Sequence, residues 1–207
     1  MTIDRLYPAD ELKPFPVIGN DVLLYRGFLE RTLADDFLRA LSGEIHWQKE
    51  TVRMYGKAID VPRLVAWYGD TNSHYRYSNI DHSPEPWAQV LLDLKARVEQ
   101  RVESCFNSVL LNLYRDGNDS VAWHSDDEPE LGKEPVIASL SLGAEREFQF
   151  RKKNNPSIKL AISLPHGSLL MMSGRSQHDW EHQLPKRRRV NEPRINLTFR
   201  RIVNPDR

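Results

Sequence analysis

The second half of the chain alternates apolar and polar residues with a period of two, and this rhythm constrains the fold more than any other feature. After Phe106 the alternation recurs in short segments, at residues 109–114, 136–142, 147–150, 158–164, 168–172 and 195–202. Turn residues such as Gly, Asn, Asp and Pro separate several of them. Such alternation predicts half-buried β-strands. We therefore predict an antiparallel sandwich or barrel for this half.

The first half shows helical spacing instead. Apolar residues recur at this spacing between Glu30 and Leu41, and again from Ser83 through Val102, which predicts two amphipathic helices. Residues 1–20 contain prolines and little periodicity, and we expect them to form an extended lead-in to a single domain over residues 21–207. Helices followed by strands indicate an α+β fold.

The composition narrows the class of protein. With 40% hydrophobic and 28% charged residues, the chain is unlike a disordered segment. No apolar run approaches the roughly 18 residues that a membrane span needs, so no membrane partner is expected. Residues 1–10 carry charge and proline where a secretory signal would be apolar, so we expect a cytoplasmic protein. We also expect a monomer. Cys105 is the single cysteine, so any bound metal must have histidine and carboxylate ligands.

The segment around His124 carries the strongest signal for metal chemistry. His124 and Asp126 lie two positions apart, so on an extended backbone both side chains point to the same side, as two ligands of one metal must. A third ligand must come from elsewhere, and His166, His178 and His182 are the candidates. One of them would complete a two-histidine, one-carboxylate triad, which leaves iron positions open for a co-substrate and dioxygen. The alternative is a surface loop or a core histidine without metal.

Two predicted strands present polar faces. Alternation leaves one face of the last strand polar, with Arg194, Asn196, Thr198 and Arg200. The strand that starts near Asn107 likewise puts Asn112 and Tyr114 on one face. Guanidinium groups make bidentate bonds to carboxylates, so this set of residues is suited to binding a small dicarboxylate inside the barrel. A half-exposed edge strand and a turn-capping role for Asn112 are the alternatives.

Five motifs then occur in one order. They are L-N-L-Y-R-D-G at 111–117, W-H-S-D-D-E-P at 123–129, I-A-S-L-S-L-G-A at 137–144, D-W-E-H at 179–182 and P-R-I-N-L-T-F-R at 193–200. Together they resemble the AlkB family of nucleic-acid dealkylases, and most of all the branch with two animal homologues that repair 1-methyladenine and 3-methylcytosine. The resemblance spans roughly residues 52–203. It implies a double-stranded β-helix (jelly-roll, cupin-like) core over 106–203, N-terminal helices, and a nucleotide-recognition lid over 52–82.

The resemblance also implies a cofactor site. By this match His124, Asp126 and His182 bind Fe(II), and His166 and His178 are not ligands. The residues implied to hold 2-oxoglutarate are Arg194 and Arg200 at its two ends, helped by Asn112, Tyr114 and Asn196. O2 would be the second co-substrate. The implied reaction demethylates bases in DNA and releases formaldehyde, succinate and CO2. Whether RNA is also a substrate stays open.

Base recognition is implied for the lid, which resembles the family's from Trp67 onward. By this match Tyr77 stacks on a flipped base opposite His124, Tyr75 contacts a phosphate, and Glu128 accepts a hydrogen bond from the exocyclic amine. Tyr55 occupies the place where the double-strand-acting relative wedges an aromatic side chain into the duplex, while the neighbouring chain also resembles the relative that prefers single strands, so the strand preference stays open. Packing of these aromatic side chains in the core is the alternative. The basic runs at 151–153 and 186–189 would contact phosphates.

Two rival functions remain at this point. The same oxygenase core could act on RNA, a protein side chain or a lipid. Alternatively, the chain is a sugar- or nucleic-acid-binding jelly roll without catalytic activity, in which the histidines are structural.

Overall fold

Two antiparallel sheets pack face to face. The computed structural model describes residues 13–54, 57–71, 75–77, 80–82 and 84–203, with side chains except at 52–54, 57–59, 75–77 and 80–82. Strands and helices are numbered in chain order. Across the larger sheet, the strands of these ranges follow the order β1 (Phe15–Ile18), β2 (Val22–Tyr25), β12 (Ser168–Met172), β9 (Ile137–Gly143), β14 (Arg194–Arg200), β7 (Ser108–Tyr114), β4 (Lys57–Gly69) and β3 (Gln48–Met54).

The smaller sheet covers one face of the larger sheet. Its strands follow the order β11 (Lys159–Leu164), β10 (Arg146–Lys152), β13 (Trp180–Leu184) and β8 (Val121–His124). Apolar side chains from both sheets, such as Phe150 and Leu170, pack together between them. A separate hairpin consists of β5 (Tyr75–Tyr77) and β6 (Ile80–His82). This confirms the predicted antiparallel sandwich.

Two helices cover the other face of the larger sheet. They are α1 (Arg31–Glu44) and α2 (Gln89–Val102). The apolar face of β14, with Leu197 and Phe199, is fully buried in one cluster with Leu41 of α1 and Leu94 of α2. Burial of one such side chain contributes about 2 kcal/mol. Within the described ranges, no helix has both the length and the apolar character that a membrane span requires.

The strand register decides where the polar side chains go. Asn196 of β14 lies directly opposite Asn112 of β7 and Ser141 of β9. Residues directly opposite one another in antiparallel strands share a face of the sheet. Because Leu197 faces the helices, the polar residues of β14 face the smaller sheet. A shift of one residue would reverse both faces.

The structure differs from the sequence prediction at the start of the second helix. Helix α2 begins at Gln89 rather than near Ser83. Pro86 disfavours helical backbone at the residue before it, and Glu85 instead forms a β-bridge with Tyr68. Period-two alternation does not identify β3 and β4. Strand β4 crosses the proposed lid range, yet it pairs with β7 in the larger sheet. Strand β1 lies within the expected lead-in and pairs with β2, which follows it.

Candidate metal and co-substrate site

His124 and His182 lie opposite each other on neighbouring strands of the smaller sheet. His124 ends β8, His182 is central in β13, and their ring centroids are 4.3 Å apart. Phe148 stacks on the His182 ring at 5.2 Å, and Phe150 contacts it edge-on. The Nδ1 atom of His124 lies 2.8 Å from the Ala122 carbonyl oxygen. In the tautomer with the proton on Nδ1, the ring donates this hydrogen bond, and the lone pair of Nε2 is available to a metal.

Asp126 follows β8 and is buried, with 3% exposure. Its backbone N–H donates to Oε1 of Gln177 at 2.9 Å, which ties the loop to the short helix α3 (Ser176–Asp179). Its Oδ1 atom accepts a hydrogen bond from Nη2 of Arg200 at 2.7 Å. Asp126 therefore joins the smaller sheet to β14 of the larger one.

One ligand atom from each of His124, Asp126 and His182 lies within 4.8 Å of the other two. Burial is the largest single influence on Asp126 and opposes its ionisation, but the combined effects of Arg200, His182 and His124 outweigh it, so the pKa of this carboxyl is below its ordinary value. Burial, reinforced by His124, lowers the pKa of His182 to about 3. At neutral pH the cluster therefore contains a carboxylate and a neutral imidazole, which are the protonation states that metal binding requires.

The other two histidine candidates lie elsewhere. His166 follows β11, where its Nδ1 accepts a hydrogen bond from the backbone N–H of Gly143 at 2.8 Å. Its Nε2 is 3.2 Å from Oδ1 of Asp35. His178 is exposed on α3. Of the three candidates, the structure brings only His182 to His124 and Asp126.

Arg194 is a buried cation on the inner face of the larger sheet, with 2% exposure. Its Nη2 donates to Oγ of Ser141 at 2.8 Å, and its guanidinium carbon is 5.2 Å from the ring centroid of Tyr114. Its Nε is buried without a hydrogen-bond partner in the described part of the chain. Burial lowers its pKa to about 10, so it stays charged at neutral pH.

The two asparagines of this face have different surroundings. Oδ1 of Asn112 accepts a hydrogen bond from Nε of Arg63 at 2.6 Å. A guanidinium only donates, so Nδ2 of Asn112 stays available to an acceptor such as a carboxylate. The amide of Asn196 donates to Oγ of Ser139 at 2.8 Å and to the Leu140 carbonyl at 3.0 Å. Asn196 thus has partners within the sheet.

The residues expected to recognise a base are only partly described. Trp67 is half-buried on the same sheet face as Asn112, because it lies opposite Leu110. Glu128 is half-buried, and its Oε2 is enclosed with no hydrogen-bond partner among the described residues. Tyr55 lies outside the described residues. For Tyr75 and Tyr77 the description is confined to the backbone of β5.

The two basic runs differ in what they contact. In the first, Arg151 pairs with Glu181 at 2.6 Å and lies 4.4 Å from the Trp123 ring centroid. Lys153 of the same run pairs with Asp127 at 2.7 Å. The second run, residues 186–189, is exposed throughout. Arg187 of this run pairs with Glu147, which leaves Lys186, Arg188 and Arg189 as its exposed cations.

No sequence pattern singled out Arg63, Gln177 or Arg146, which contact the site residues or their loops. Each acts through partners far away in sequence: Arg63 through Asn112, Gln177 through Asp126, and Arg146 through the carbonyls of Asp116, Asp119 and Pro185. Period-two alternation along Val61–Trp67 would have placed Arg63 on the inner face, had that segment been recognised as a strand.

Comparison with known proteins identifies the family. The 2OG-Fe(II) oxygenase superfamily matches residues 21–200. Alpha-ketoglutarate-dependent dioxygenase alkB homolog 3 of Homo sapiens is 45% identical over 205 residues, which cover 95% of this chain and 71% of that protein. DNA oxidative demethylase ALKBH2 of Homo sapiens is 41% identical over 180 residues, which cover 82% and 69% of the two chains.

Solved structures show the same fold. OsALKBH1 matches with a TM-score of 0.64 at 15% identity, over 87% of this chain and 96% of that one. A 2OG-Fe(II) oxygenase family oxidoreductase from Burkholderia pseudomallei matches with a TM-score of 0.60 at 14% identity, over 89% and 87%. The predicted jelly roll is thereby confirmed. The family implies Fe(II) and 2-oxoglutarate, and the chain is a member of the AlkB family of 2OG-Fe(II) oxygenases.

Proposed function

We propose that this chain demethylates 1-methyladenine and 3-methylcytosine in DNA by Fe(II)- and 2-oxoglutarate-dependent oxidation. The observation that carries the proposal is the convergence of His124, Asp126 and His182, whose ligand atoms lie within 4.8 Å of one another. Two relatives, an alpha-ketoglutarate-dependent dioxygenase and a DNA oxidative demethylase, support the same chemistry by their names.

The three converging residues fit a ferrous ion. Two imidazoles and one carboxylate form the donor set that non-haem Fe(II) oxygenases use, and they leave coordination positions open. His124 and His182 would each provide a nitrogen, and Asp126 an oxygen. When bound, iron, 2-oxoglutarate and O2 together supply the oxidation of the methyl group, with succinate, CO2 and formaldehyde as products. The chain itself positions the reactants and excludes water.

The inner face of β14 fits 2-oxoglutarate. Arg194 is buried, and its Nε has no hydrogen-bond partner in the described ranges, so an incoming carboxylate would satisfy it. Arg200 contacts Asp126 and would hold the end of the co-substrate nearer the metal. Asn112 would donate through Nδ2, and Tyr114 lies beside Arg194. Asn196, whose amide has partners already, would shape the pocket.

Glu128 favours a cationic base as the substrate. Its enclosed Oε2, which has no partner in the described part of the chain, can accept a hydrogen bond from an exocyclic amine. The neighbouring carboxylate of Asp127 is already paired with Lys153, so Glu128 would carry the preference alone. Both proposed bases are positively charged, which a nearby carboxylate stabilises. Trp67, Tyr75 and Tyr77 remain the proposed base and phosphate contacts, and Tyr55 the proposed wedge.

The exposed run at residues 186–189 would contact the phosphates of the nucleic acid. Such contacts hold DNA and RNA alike, so RNA stays a second substrate class of this proposal. The monomeric state and the cytoplasmic location stay predictions.

Mass spectrometry of modified oligonucleotides tests the proposal. Matched single- and double-stranded DNA and RNA oligonucleotides with one 1-methyladenine or 3-methylcytosine are incubated with protein, Fe(II), ascorbate and 2-oxoglutarate. We expect the loss of one methyl mass with the wild-type protein and none with Asp126→Ala. Succinate production without a mass change of the oligonucleotide would mean that the protein is an oxygenase that acts on another substrate. Absence of both would favour the non-catalytic jelly roll.

A further inference from the structure

Arg146 is a second buried cation near the proposed co-substrate pocket. It opens β10 and is 2% exposed. Its guanidinium donates to the carbonyl oxygens of Asp116 at 3.2 Å, Asp119 at 3.0 Å and Pro185 at 2.8 Å. These carbonyls carry no net charge, and Arg146 forms no ion pair within the described part of the chain. Burial lowers the pKa of Arg146, and the carboxylates of Asp119 and Asp116 raise it by less, so these charges offset the cost of burial only in part and the rest must be offset in another way.

The ring of Tyr114 provides part of that offset. The guanidinium carbon of Arg146 lies 5.9 Å from the Tyr114 ring centroid, and that of Arg194 lies 5.2 Å from it. Both distances are within the range of a cation–π contact. Tyr114 is itself buried, with 3% exposure. Two buried cations therefore share one aromatic ring.

This arrangement leaves positive charge next to Arg194. Arg146 and Arg194 repel each other, which adds to the lowering of the pKa of Arg194 by burial. In the described ranges no carboxylate pairs with either guanidinium. A dicarboxylate that enters beside Tyr114 would provide the missing negative charge.

We propose that Arg146 is a positioning residue for 2-oxoglutarate, acting through Tyr114 on the carboxylate end that Arg194 binds. The inference rests on the proposed function of this pocket. Arg146 holds the Tyr114 ring beside Arg194, and its bonds to Asp116 and Asp119 fix the turn that follows Tyr114. It also adds positive potential at this end of the pocket. A lysine would keep the charge, but it lacks the planar guanidinium that donates to three carbonyl oxygens and contacts the Tyr114 ring.

Calorimetric titration of 2-oxoglutarate tests the role without turnover, with Mn(II)-loaded protein under anaerobic conditions. The variants are Arg146→Met and Arg146→Lys. The matched control is Arg115→Gln, which breaks an ion pair with Asp119 in the same turn. Arg146→Met is expected to raise the Kd for 2-oxoglutarate by about tenfold, with a smaller rise for Arg146→Lys. The control is expected to stay within about twofold of wild type.

Kinetics and thermal unfolding separate positioning from general stability. The KM for 2-oxoglutarate is expected to rise in both Arg146 variants, while kcat at saturation and the KM for the oligonucleotide stay near wild type. The inference would be overturned if Arg146→Lys and Arg115→Gln lost the same Tm relative to wild type and bound 2-oxoglutarate with the same Kd. Should Arg146→Met not fold, Arg146→Lys decides. Wild-type protein that binds no 2-oxoglutarate would instead overturn the proposed function, and the inference with it.

Discussion

Nη2 of Arg200 donates a 2.7 Å hydrogen bond to Oδ1 of Asp126, so a proposed co-substrate residue directly contacts a proposed metal ligand. Arg200 lies on the larger sheet, and Asp126 follows a strand of the smaller one. The bond therefore connects the two halves of the site across the sandwich. A charge-assisted bond of this kind is about twice as strong as a neutral one.

This contact predicts that Arg200 affects metal and co-substrate binding together. Arg200→Gln should weaken Mn(II) binding and 2-oxoglutarate binding, because Asp126 loses the charge that keeps it ionised and oriented. Arg194→Gln is the matched control. It should weaken only 2-oxoglutarate binding, since Arg194 contacts Ser141 and Tyr114 rather than a metal ligand. Calorimetry measures both affinities, and an unchanged Mn(II) affinity in Arg200→Gln would contradict the coupling.

Glu128 should determine the preference for charged bases. Glu128→Gln keeps the size of the side chain but removes its charge, so the ratio of kcat/KM for 1-methyladenine to that for a neutral alkylated base should fall by roughly tenfold. Asp127→Asn is the control and should leave the ratio near wild type, because Lys153 already neutralises Asp127. Equal ratios in wild type and Glu128→Gln would remove Glu128 from base selection.

Gly117 should be required for the position of the basic run. A Cβ atom at Gly117 would lie 1.8 Å from the backbone carbonyl oxygen of Arg187. Arg187 cannot move away easily, because its backbone N–H donates a hydrogen bond to the carbonyl oxygen of Gly117. Gly117→Ala should therefore destabilise the fold by several kcal/mol, on the order of an overpacked core site. It should also weaken oligonucleotide binding.

Gly43→Ala is the control for this change. No described atom lies within 4 Å of a Cβ added there, inside α1. It should stabilise the protein by about 0.5–1 kcal/mol through helix propensity. Urea unfolding compares the two variants, and a Gly117→Ala protein as stable as wild type would contradict the predicted clash.

The ion pair of Arg115 with Asp119 should make stability depend on pH. Burial opposes ionisation of Asp119, but the hydrogen bonds from Arg115 outweigh it and lower the pKa of this carboxyl. A carboxyl with a lowered pKa in the folded state adds stability above its unfolded pKa of about 3.9 and loses it as the pH falls further.

Asp119→Asn should therefore reduce the free energy of unfolding by about 1.5–3 kcal/mol at neutral pH. The difference from wild type should shrink as the pH falls below about 4. Urea unfolding at several pH values measures this, and a difference that grows towards acid would contradict the assignment.

The sequence predicted those parts of the site that depend on local spacing. The two-residue separation of His124 and Asp126 and the alternation along β14 both follow from strand geometry, so they could be inferred from neighbouring residues alone. The choice of His182 over His166 and His178 needed the family resemblance, because cross-strand pairing with β8 is a long-range relationship.

Contacts across the sheets were beyond such inference. Arg63 reaches Asn112 over 49 positions, and Gln177 reaches Asp126 over 51. Arg146 reads as one polar residue at the edge of an alternating segment, and its burial depends on how two distant loops close over it. The start of α2 was misplaced because helical spacing continued through prolines that the backbone cannot include in a helix.

Product stoichiometry is the most direct test of oxidative demethylation by this protein. Formaldehyde, succinate and lost methyl groups are counted in one reaction with a 1-methyladenine oligonucleotide, for wild type, Asp126→Ala and the exposed-histidine control His178→Ala. We expect formaldehyde, succinate and lost methyl groups in equal amounts for wild type and His178→Ala, and none of them for Asp126→Ala. Succinate without formaldehyde or methyl loss, or full activity in Asp126→Ala, would contradict it.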